Sequence, residues 1–302
     1  MQKGVLNMKQ TIFTGAAVAV ITPMLPDGSV HYKKLDEILE QQIAGGTDAV
    51  VICGTTGEAP TLDDEEHLEC IGHTVRTVAG RIPVIAGTGS NNTEHAIMMS
   101  REAKALGADA VLLVTPYYNK TSQVGLVRHF TAIADTLEIP AILYNVPSRT
   151  GVNIGPGAAK ALCSHPMIRG LKEASGNIGQ VAEIAALCGD ELPIYSGNDD
   201  QIVPLLALGG KGVISVLSNV APRQTHDICQ LWFEGRTQES LALQLKYLPL
   251  VKALFSDVSP MPVKAAMNLM GMEVGNCRLP LTTLDEGQTE KIREALAGAG
   301  LL

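Results

Sequence analysis

A single lysine, Lys172, ends a short apolar run in the segment IRGLKEASG, residues 168–176, and small residues follow it directly. A lysine on a surface helix would lie among other charges at helical spacing, whereas this one follows what the pattern predicts to be a buried strand. Burial disfavours the ammonium form and lowers the pKa of a lysine from about 10.4. The neutral amine attacks a ketone to form a Schiff base, so the segment predicts imine chemistry.

The alternative for Lys172 is a charge at a strand end that pairs with a nearby carboxylate such as Glu173. Successive residues of a strand point to opposite faces, so we expect Lys172 and Glu173 to face different ways and not to pair with each other. An imine on Lys172 would act as an electron sink, which lets the neighbouring carbon lose a proton and become an enamine.

Enamine chemistry needs a proton shuttle and groups that hold anions. Tyr144 can relay protons, and Thr56 can orient the Tyr144 hydroxyl. The segment GTTGE, residues 54–58, offers backbone N–H groups in a glycine-flanked turn suited to a carboxylate, although the same letters also describe an ordinary turn after a strand. Arg149, in VPSRTG, can bind a second carboxylate through two parallel hydrogen bonds.

Eight short apolar runs, rich in Val and Ile and apolar throughout, recur along the chain as buried parallel strands do. They lie in AAVAVITP (16–23), DAVVICGTTGE (48–58), IPVIAGTGS (82–90), DAVLLVTPYYN (109–119), IPAILYNVPSRTG (139–151), MIRGLKEASG (167–176), LPIYSGND (192–199) and KGVISVLSN (211–219). Amphipathic stretches such as VHYKKLDEILEQQIAGG lie between them. This alternation predicts an α/β fold, a (β/α)8 TIM barrel.

The barrel brings the candidate residues together, because chemistry in such barrels lies at the carboxyl ends of the strands. Lys172 ends the sixth predicted strand and Tyr144 ends the fifth. Two pairs of hydroxyl-bearing residues follow the fourth and second strands, Tyr117–Tyr118 and Thr55–Thr56. We therefore expect one lysine, several hydroxyls and Arg149 to share one end of the barrel.

The predicted organisation has three parts. Residues 1–12 form an N-terminal extension within which Met8 offers a second start, residues 13–232 form the barrel, and residues 233–302 form a C-terminal helical subdomain. The last part follows from the end of the strand signal after Asn219, since only helical patterns remain beyond it.

Composition excludes several classes of function. The net charge is −8, no Lys/Arg cluster occurs and aromatic residues make up 4%, so nucleic acid is not an expected partner. No apolar run reaches the roughly 18 residues that cross a bilayer, so no membrane partner is expected either. The six cysteines form no CxxC pair and the N-terminus lacks the apolar region of a signal peptide, which together predict reduced thiols in the cytoplasm.

Two further patterns suggest other kinds of site. His67, Cys70 and His73 could suggest a metal, but the third lies off the helical face that the first two share, so no metal is expected. The segments GNDD and GGKGV are expected after the seventh and eighth strands, where barrels often bind phosphate. They leave a phosphate-sugar isomerase open as an alternative.

Six motifs, in this order, resemble those of the dihydrodipicolinate synthase family: GTTGE, PYYNK, YNVPSRTG, LKEASGN, SGND and GVISVLSN. Members of that family are lyases of the class I pyruvate-dependent aldolase superfamily. The resemblance runs from about Phe13 to the C-terminus, with few motifs after Asn219. Related aldolases, such as N-acetylneuraminate lyase, share the glycine-threonine turn, the tyrosine and the lysine but usually lack an arginine at the position of Arg149. Such an aldolase is the second hypothesis, and a barrel without catalysis is the third.

The resemblance implies condensation of pyruvate with L-aspartate 4-semialdehyde to 4-hydroxy-tetrahydrodipicolinate, in the diaminopimelate route of lysine biosynthesis. It implies no cofactor, because the intermediate is a pyruvyl imine on Lys172. Thr55 and Thr56 would bind the pyruvate carboxylate, and Arg149 would hold the carboxylate of the semialdehyde. The backbone carbonyl of Ile214 would help to tune the lysine.

The resemblance also implies an assembly. Tyr144, Thr56 and Tyr118 would form the proton relay, with Tyr118 reaching in from a neighbouring subunit of a homo-oligomer, expected to be a tetramer. In members inhibited by lysine, the end product binds in a cleft at the dimer interface, and the matching positions are Ala59, Pro60, Asp64, His67, Asn91, His95 and Tyr117.

Three of those effector positions depart from the pattern of the inhibited members. His95 stands where they carry a glutamate that pairs with the ammonium group of the inhibitor, Asp64 replaces a histidine, and Ala59 replaces a serine. The resemblance therefore predicts weak or absent inhibition by L-lysine.

Overall fold

The computed structural model describes residues 10–302, and the predicted start at Met1 or Met8 and most of the predicted N-terminal extension lie outside them. Eight parallel strands close into a barrel in sequence order, each paired with the next and the eighth with the first, which confirms the predicted TIM barrel. The strands are β1 Gly15–Ala19, β2 Ala49–Ile52, β3 Val84–Gly87, β4 Ala110–Val114, β5 Ala141–Asn145, β6 Ile168–Glu173, β7 Ile194–Ser196 and β8 Gly212–Ser215.

Helices connect the strands and continue beyond the barrel. The α-helices are α1 Tyr32–Ala44, α2 Asp64–Val78, α3 Thr93–Ala105, α4 Gln123–Ala134, α5 Pro147–Thr150, α6 Pro156–Cys163, α7 Ile178–Cys188, α8 Ile202–Ala207, α9 Pro222–Phe233, α10 Thr237–Leu254, α11 Met261–Leu269 and α12 Glu286–Ala299. Short 3-10 turns lie between some of them, including Ala59–Thr61 just after the GTTGE segment.

The barrel interior is a packed core rather than a pore. Its buried side chains include Val51, Ile85, Leu112, Ile142, Tyr144, Tyr195 and Ile214. Near the amino end of β1, the ring of Phe13 stacks on Tyr195 with 4.3 Å between centroids, and the Tyr195 hydroxyl donates to the Phe13 carbonyl at 2.8 Å. This packing fills the barrel below the carboxyl ends of the strands.

The helices after the barrel pack on it and on one another: α10 contacts α9, α11 and α12. The predicted boundary after residue 232 falls one residue before the end of α9 at Phe233, and α10 packs directly against α9. The division into barrel and C-terminal subdomain stays a prediction. None of the helices within residues 10–302 combines the length and the apolar character needed to cross a membrane.

Candidate active site

Lys172 and Tyr144 lie side by side near the carboxyl ends of β6 and β5. They are register partners, and the Lys172 Nζ lies 4.4 Å from the centre of the Tyr144 ring. Both are the penultimate residues of their strands rather than the last, because Asn145 and Glu173 extend the pairing by one step. The amine and the phenol therefore share the inner face of the barrel.

Burial gives Lys172 the character of a nucleophile. Only 6% of the residue is exposed, and this desolvation lowers its pKa to about 8, although the nearby negative charge of Asp199 acts in the opposite direction. The positive charge of Arg149 lowers the pKa of Lys172 further. At a pH near this pKa, a substantial fraction of the protein molecules therefore carry Lys172 as the neutral amine.

Glu173 does not neutralise the lysine. Its carboxylate accepts hydrogen bonds from the Asn145 Nδ2 at 3.1 and 2.9 Å and from the backbone N–H of Ser175 at 2.7 Å. Within residues 10–302, no ion pair joins it to Lys172. These contacts argue against Lys172 as a mere strand-end charge.

The glycine of the SGND motif leaves room for the lysine. A Cβ at Gly197 would lie 3.1 Å from the Lys172 Cε and 2.7 Å from the Ala174 Cβ. Both distances are shorter than ordinary carbon contacts of about 3.5–4.0 Å. Gly197 therefore permits Lys172 to lie where it does.

The GTTGE segment forms a tight turn after β2. The backbone N–H of Gly57 donates to the Gly54 carbonyl at 3.1 Å, the N–H of Glu58 donates to the Thr55 carbonyl at 3.1 Å, and the Thr22 hydroxyl donates to the Gly57 carbonyl at 2.7 Å. The turn holds Thr55 at the carboxyl end of the barrel.

The turn also brings a hydroxyl to the Tyr144 phenol. The side chain of Thr55 forms a hydrogen bond with that phenol. Thr56 is buried with 4% exposure, and its predicted part in orienting the phenol stays a prediction. Burial raises the pKa of Tyr144, and the charge of Arg149 and the Thr55 hydrogen bond oppose that rise.

A cavity of about 430 Å³ opens above this pair. Thr55, Tyr144 and Arg149 line it. Lys172 is not among the lining residues and lies against the ring of Tyr144, which is one of them. Most predicted effector residues line the same cavity in the single chain, namely Ala59, Pro60, Asp64, His67, His95 and Tyr117. The two predicted regions are therefore neighbours rather than separate pockets.

The effector residues carry a distinctive pair. The Asp64 carboxylate lies 3.0 Å from the His95 Nε2, and Asp64 is the one carboxylate among the described residues that line the cavity. The His67 ring contacts the Gly87 carbonyl at 2.8 Å, and burial lowers the pKa of His67 so that it stays neutral near pH 7. Asn91 donates to the Tyr117 carbonyl at 3.2 Å and lines an adjacent pocket.

Two other predicted site residues differ in their exposure. Tyr118 is 93% exposed and has a φ of 65°, a left-handed conformation that is unusual for a bulky residue. Ile214 is buried in β8 and is the register partner of Ala17.

Asp199, which the sequence patterns did not single out, lies in the region where they favoured a phosphate. Its Oδ2 accepts the backbone N–H groups of Val216 and Leu217 at 3.0 and 2.9 Å, just after β8. The placement of GGKGV after the eighth strand is wrong: the segment begins before β8, so its Lys211 lies at the opposite end of the barrel. The carboxylate fills the donors that a phosphate would need, which counts against the isomerase alternative; the acidic GNDD motif was the available signal.

The residues considered for a metal have separate partners. His67 contacts the Gly87 carbonyl, and the His73 Nε2 lies 2.7 Å from the Asp36 Oδ1. Cys70 is buried, like most of the six cysteines, and none of the six, all of which lie within the described residues, forms a disulfide bond. In the described part of the chain, no group of three His, Cys, Asp or Glu side chains is arranged to hold a metal ion.

Comparisons with known proteins agree on one family. The model of the Dihydrodipicolinate synthetase family matches residues 12–299. The 4-hydroxy-tetrahydrodipicolinate synthases of Lachnoclostridium phytofermentans and Acetivibrio thermocellus are 56% and 55% identical, and the matches cover 96% and 98% of this chain and 99% and 100% of those proteins.

Solved structures of the same family superpose closely on this chain. The dihydrodipicolinate synthase of Acinetobacter baumannii, crystallised with pyruvate, superposes with a TM-score of 0.94 at 44% identity, covering 96% of this chain and 99% of that one. The enzyme of Aquifex aeolicus superposes with a TM-score of 0.93 at 42% identity and the same coverage.

Proposed function

This chain belongs to the dihydrodipicolinate synthetase family, and from that premise we propose how its residues carry out the family's reaction. The activity is the condensation of pyruvate with L-aspartate 4-semialdehyde to 4-hydroxy-tetrahydrodipicolinate in lysine biosynthesis. Membership of this family argues against the two other hypotheses, a related aldolase and a barrel without catalysis. The observation that carries the proposed mechanism is the buried amine of Lys172 against the Tyr144 ring.

The first step is formation of the imine. The neutral Nζ of Lys172 attacks the keto carbon of pyruvate, and the resulting carbinolamine loses water to give the imine. Thr55 and Thr56 hold the pyruvate carboxylate through their backbone N–H groups, since the N–H groups of Gly57 and Glu58 already donate within the turn. Tyr144 supplies the proton that the departing hydroxyl needs, and the Thr55 hydroxyl orients it.

The second step is carbon–carbon bond formation. The methyl group of the pyruvyl imine loses a proton through the Tyr144 relay, and the enamine carbon then attacks the aldehyde carbon of the semialdehyde. The aldehyde oxygen takes up a proton and becomes the hydroxyl of the product. Arg149 holds the semialdehyde carboxylate at the mouth of the cavity, which it lines.

Ring closure then releases the enzyme. The amino group of the condensed semialdehyde attacks the imine carbon, the carbon–nitrogen bond to Lys172 breaks, and the lysine leaves as the free amine. The backbone carbonyl of Ile214 helps to tune that amine. No cofactor takes part, because the imine itself is the electron sink. Reduction with borohydride in the presence of pyruvate tests this scheme, since it must fix a pyruvyl group on Lys172.

We place the enzyme in the cytoplasm as a homo-oligomer, a tetramer built from two dimers that are joined in part through the C-terminal helices. Tyr118 supports the proposal, because it is 93% exposed and has a left-handed backbone in the single chain. In the assembly, Tyr118 completes the relay of Tyr144 and Thr55 in the neighbouring subunit.

Mixing two inactive variants tests the exchange of Tyr118. Tyr118→Phe and Lys172→Ala subunits, each inactive alone, are expected to regain activity after subunit exchange, because a mixed dimer holds one intact site. The specific activity of the mixture is compared with that of each variant alone. Exchange verified by mass spectrometry without any regained activity would show that Tyr118 acts within its own chain or not at all.

Inhibition by L-lysine is expected to be weak, with half-inhibition above about 1 mM. The reason is that the described residues lining the cavity include one carboxylate, Asp64, and its contact with His95 at 3.0 Å competes with the ammonium group of the inhibitor. A titration of the initial rate with L-lysine measures the half-inhibition concentration. The matched variant is His95→Glu, which L-lysine is expected to inhibit more tightly. Half-inhibition well below 1 mM in the unsubstituted enzyme would mean that Asp64 serves the inhibitor despite His95.

A further inference from the structure

A buried ion pair joins the GTTGE turn to the C-terminal helices. The Oε1 of Glu58 lies 2.5 Å from the Nζ of Lys264 in α11, and the two side chains are 0% and 2% exposed. The second oxygen of Glu58 accepts the backbone N–H of Arg278 at 2.9 Å, and Lys264 donates to the Asn276 carbonyl at 3.0 Å. Residues more than 200 positions apart in the chain thus meet in one polar cluster.

Stability alone gives little reason for this cluster. Taking two charges out of water is costly, and apolar residues of similar volume often replace a buried ion pair without loss of stability. Glu58 also has a φ of 56°, a left-handed conformation that is unfavourable for a residue with a side chain. Such strain persists only where the surroundings hold it in place, and it is common near functional sites.

The cluster is continuous with the candidate active site. The backbone N–H of Glu58 donates to the Thr55 carbonyl at 3.1 Å, and the Thr55 hydroxyl is the partner of the Tyr144 phenol, whose ring contacts Lys172. A displacement of Glu58 would therefore move Thr55 relative to Tyr144.

We propose that Glu58 is a positioning residue, which acts through its ion pair with Lys264 to hold the turn in the orientation that binds the pyruvate carboxylate. This inference rests on the proposed function, in which Thr55 and Thr56 bind that carboxylate. It gives the C-terminal segment a direct part in the site, through the contact between Glu58 and Arg278 as well as through α11.

The decisive variant is the double substitution Glu58→Gln/Lys264→Met. It buries no charge, and the glutamine still accepts the N–H of Arg278, so the protein is expected to fold with a Tm near that of the unsubstituted enzyme. The tether between turn and helix is lost, and the KM for pyruvate is expected to rise about ten-fold or more while the KM for aspartate 4-semialdehyde stays unchanged. An unchanged KM for pyruvate in this variant would overturn the proposal.

Two further variants separate positioning from stability. Lys264→Gln removes the charge that pairs with Glu58 and shortens the side chain, so it weakens the tether although an N–H donor remains. It is expected to raise the KM for pyruvate by less than the double substitution does; an unchanged value in the folded variant counts against the proposal. Leu296→Ala removes a fully buried side chain of α12 that is not part of the cluster. It is expected to lower Tm and leave the KM for pyruvate alone, so an equal rise of that KM would assign the effect to stability and overturn the proposal.

Borohydride trapping of the unsubstituted enzyme keeps the two hypotheses distinguishable. If pyruvate fails to label Lys172 there, the proposed mechanism is wrong. If Lys172 is labelled but the Glu58 and Lys264 variants keep their KM for pyruvate, only the positioning role is refuted.

Discussion

Replacing Lys172 by alanine is expected to lower kcat by at least about a thousand-fold, because no other group can form the imine. The side chain is 6% exposed and lies against Tyr144, so it is the amine that the fold holds beside a proton donor. Incubation of the unsubstituted enzyme with pyruvate and borohydride, followed by peptide mass mapping, is expected to find the pyruvyl label on Lys172 alone. Catalysis near the original rate in Lys172→Ala, or a label on another lysine, would contradict the mechanism.

Lys211→Ala serves as the matched control. Lys211 precedes β8 and so lies at the end of the barrel opposite the candidate active site, and its removal is expected to leave both kcat and the trapped adduct unchanged.

The same amine gives the imine step a defined dependence on pH. Burial lowers the pKa of Lys172 to about 8, and only the neutral form attacks pyruvate. The rate of adduct formation is therefore expected to rise about ten-fold per pH unit below that value and to level off above it. The rate of adduct formation is measured by quenching the reaction with borohydride at fixed times over a series of pH values. A rate that is flat between pH 6 and about 9 would show that Lys172 is not the titrating nucleophile.

Replacing Arg149 by alanine is expected to lower kcat/KM for aspartate 4-semialdehyde about 30-fold or more, because a charge-assisted, two-pronged contact to a carboxylate contributes about 2 kcal/mol. Arg149 lines the cavity with Thr55 and Tyr144, at the side where the second substrate enters in the proposed scheme. Formation of the pyruvate adduct on Lys172 is expected to survive. Steady-state kinetics with each substrate varied in turn, together with trapping, separates the two effects.

Two variants sharpen the Arg149 test. Arg149→Lys keeps the charge but not the fork of donors, and it is expected to recover only part of the loss. Arg169→Ala removes an arginine near the amino end of β6, and it should leave the kinetics unchanged. Unchanged kinetics for the semialdehyde in Arg149→Ala would leave the arginine with a structural role.

The sequence by itself determined the fold and most of the chemistry. A parallel barrel strand is buried on both faces, so its sequence is a mainly apolar run. Eight such runs that alternate with helices are compatible with few folds other than a TIM barrel. The polar residue at the end of a run must then lie at the reactive end of the barrel. That reasoning found Lys172, Tyr144 and Arg149 without coordinates, and the structure brings the first two into contact.

Tertiary structure alone decided which neighbours those residues have. Nothing in the letters GTTGE says that the side chain of Thr55 turns toward Tyr144, because that contact depends on the path of the turn and not on composition. Asp199 occupies the backbone donors where a phosphate was considered, and Glu58 pairs with Lys264 from a distant helix. Contacts between segments far apart in the chain have no periodic signal, since they arise only when packed elements bring unlike positions within a few ångströms of each other.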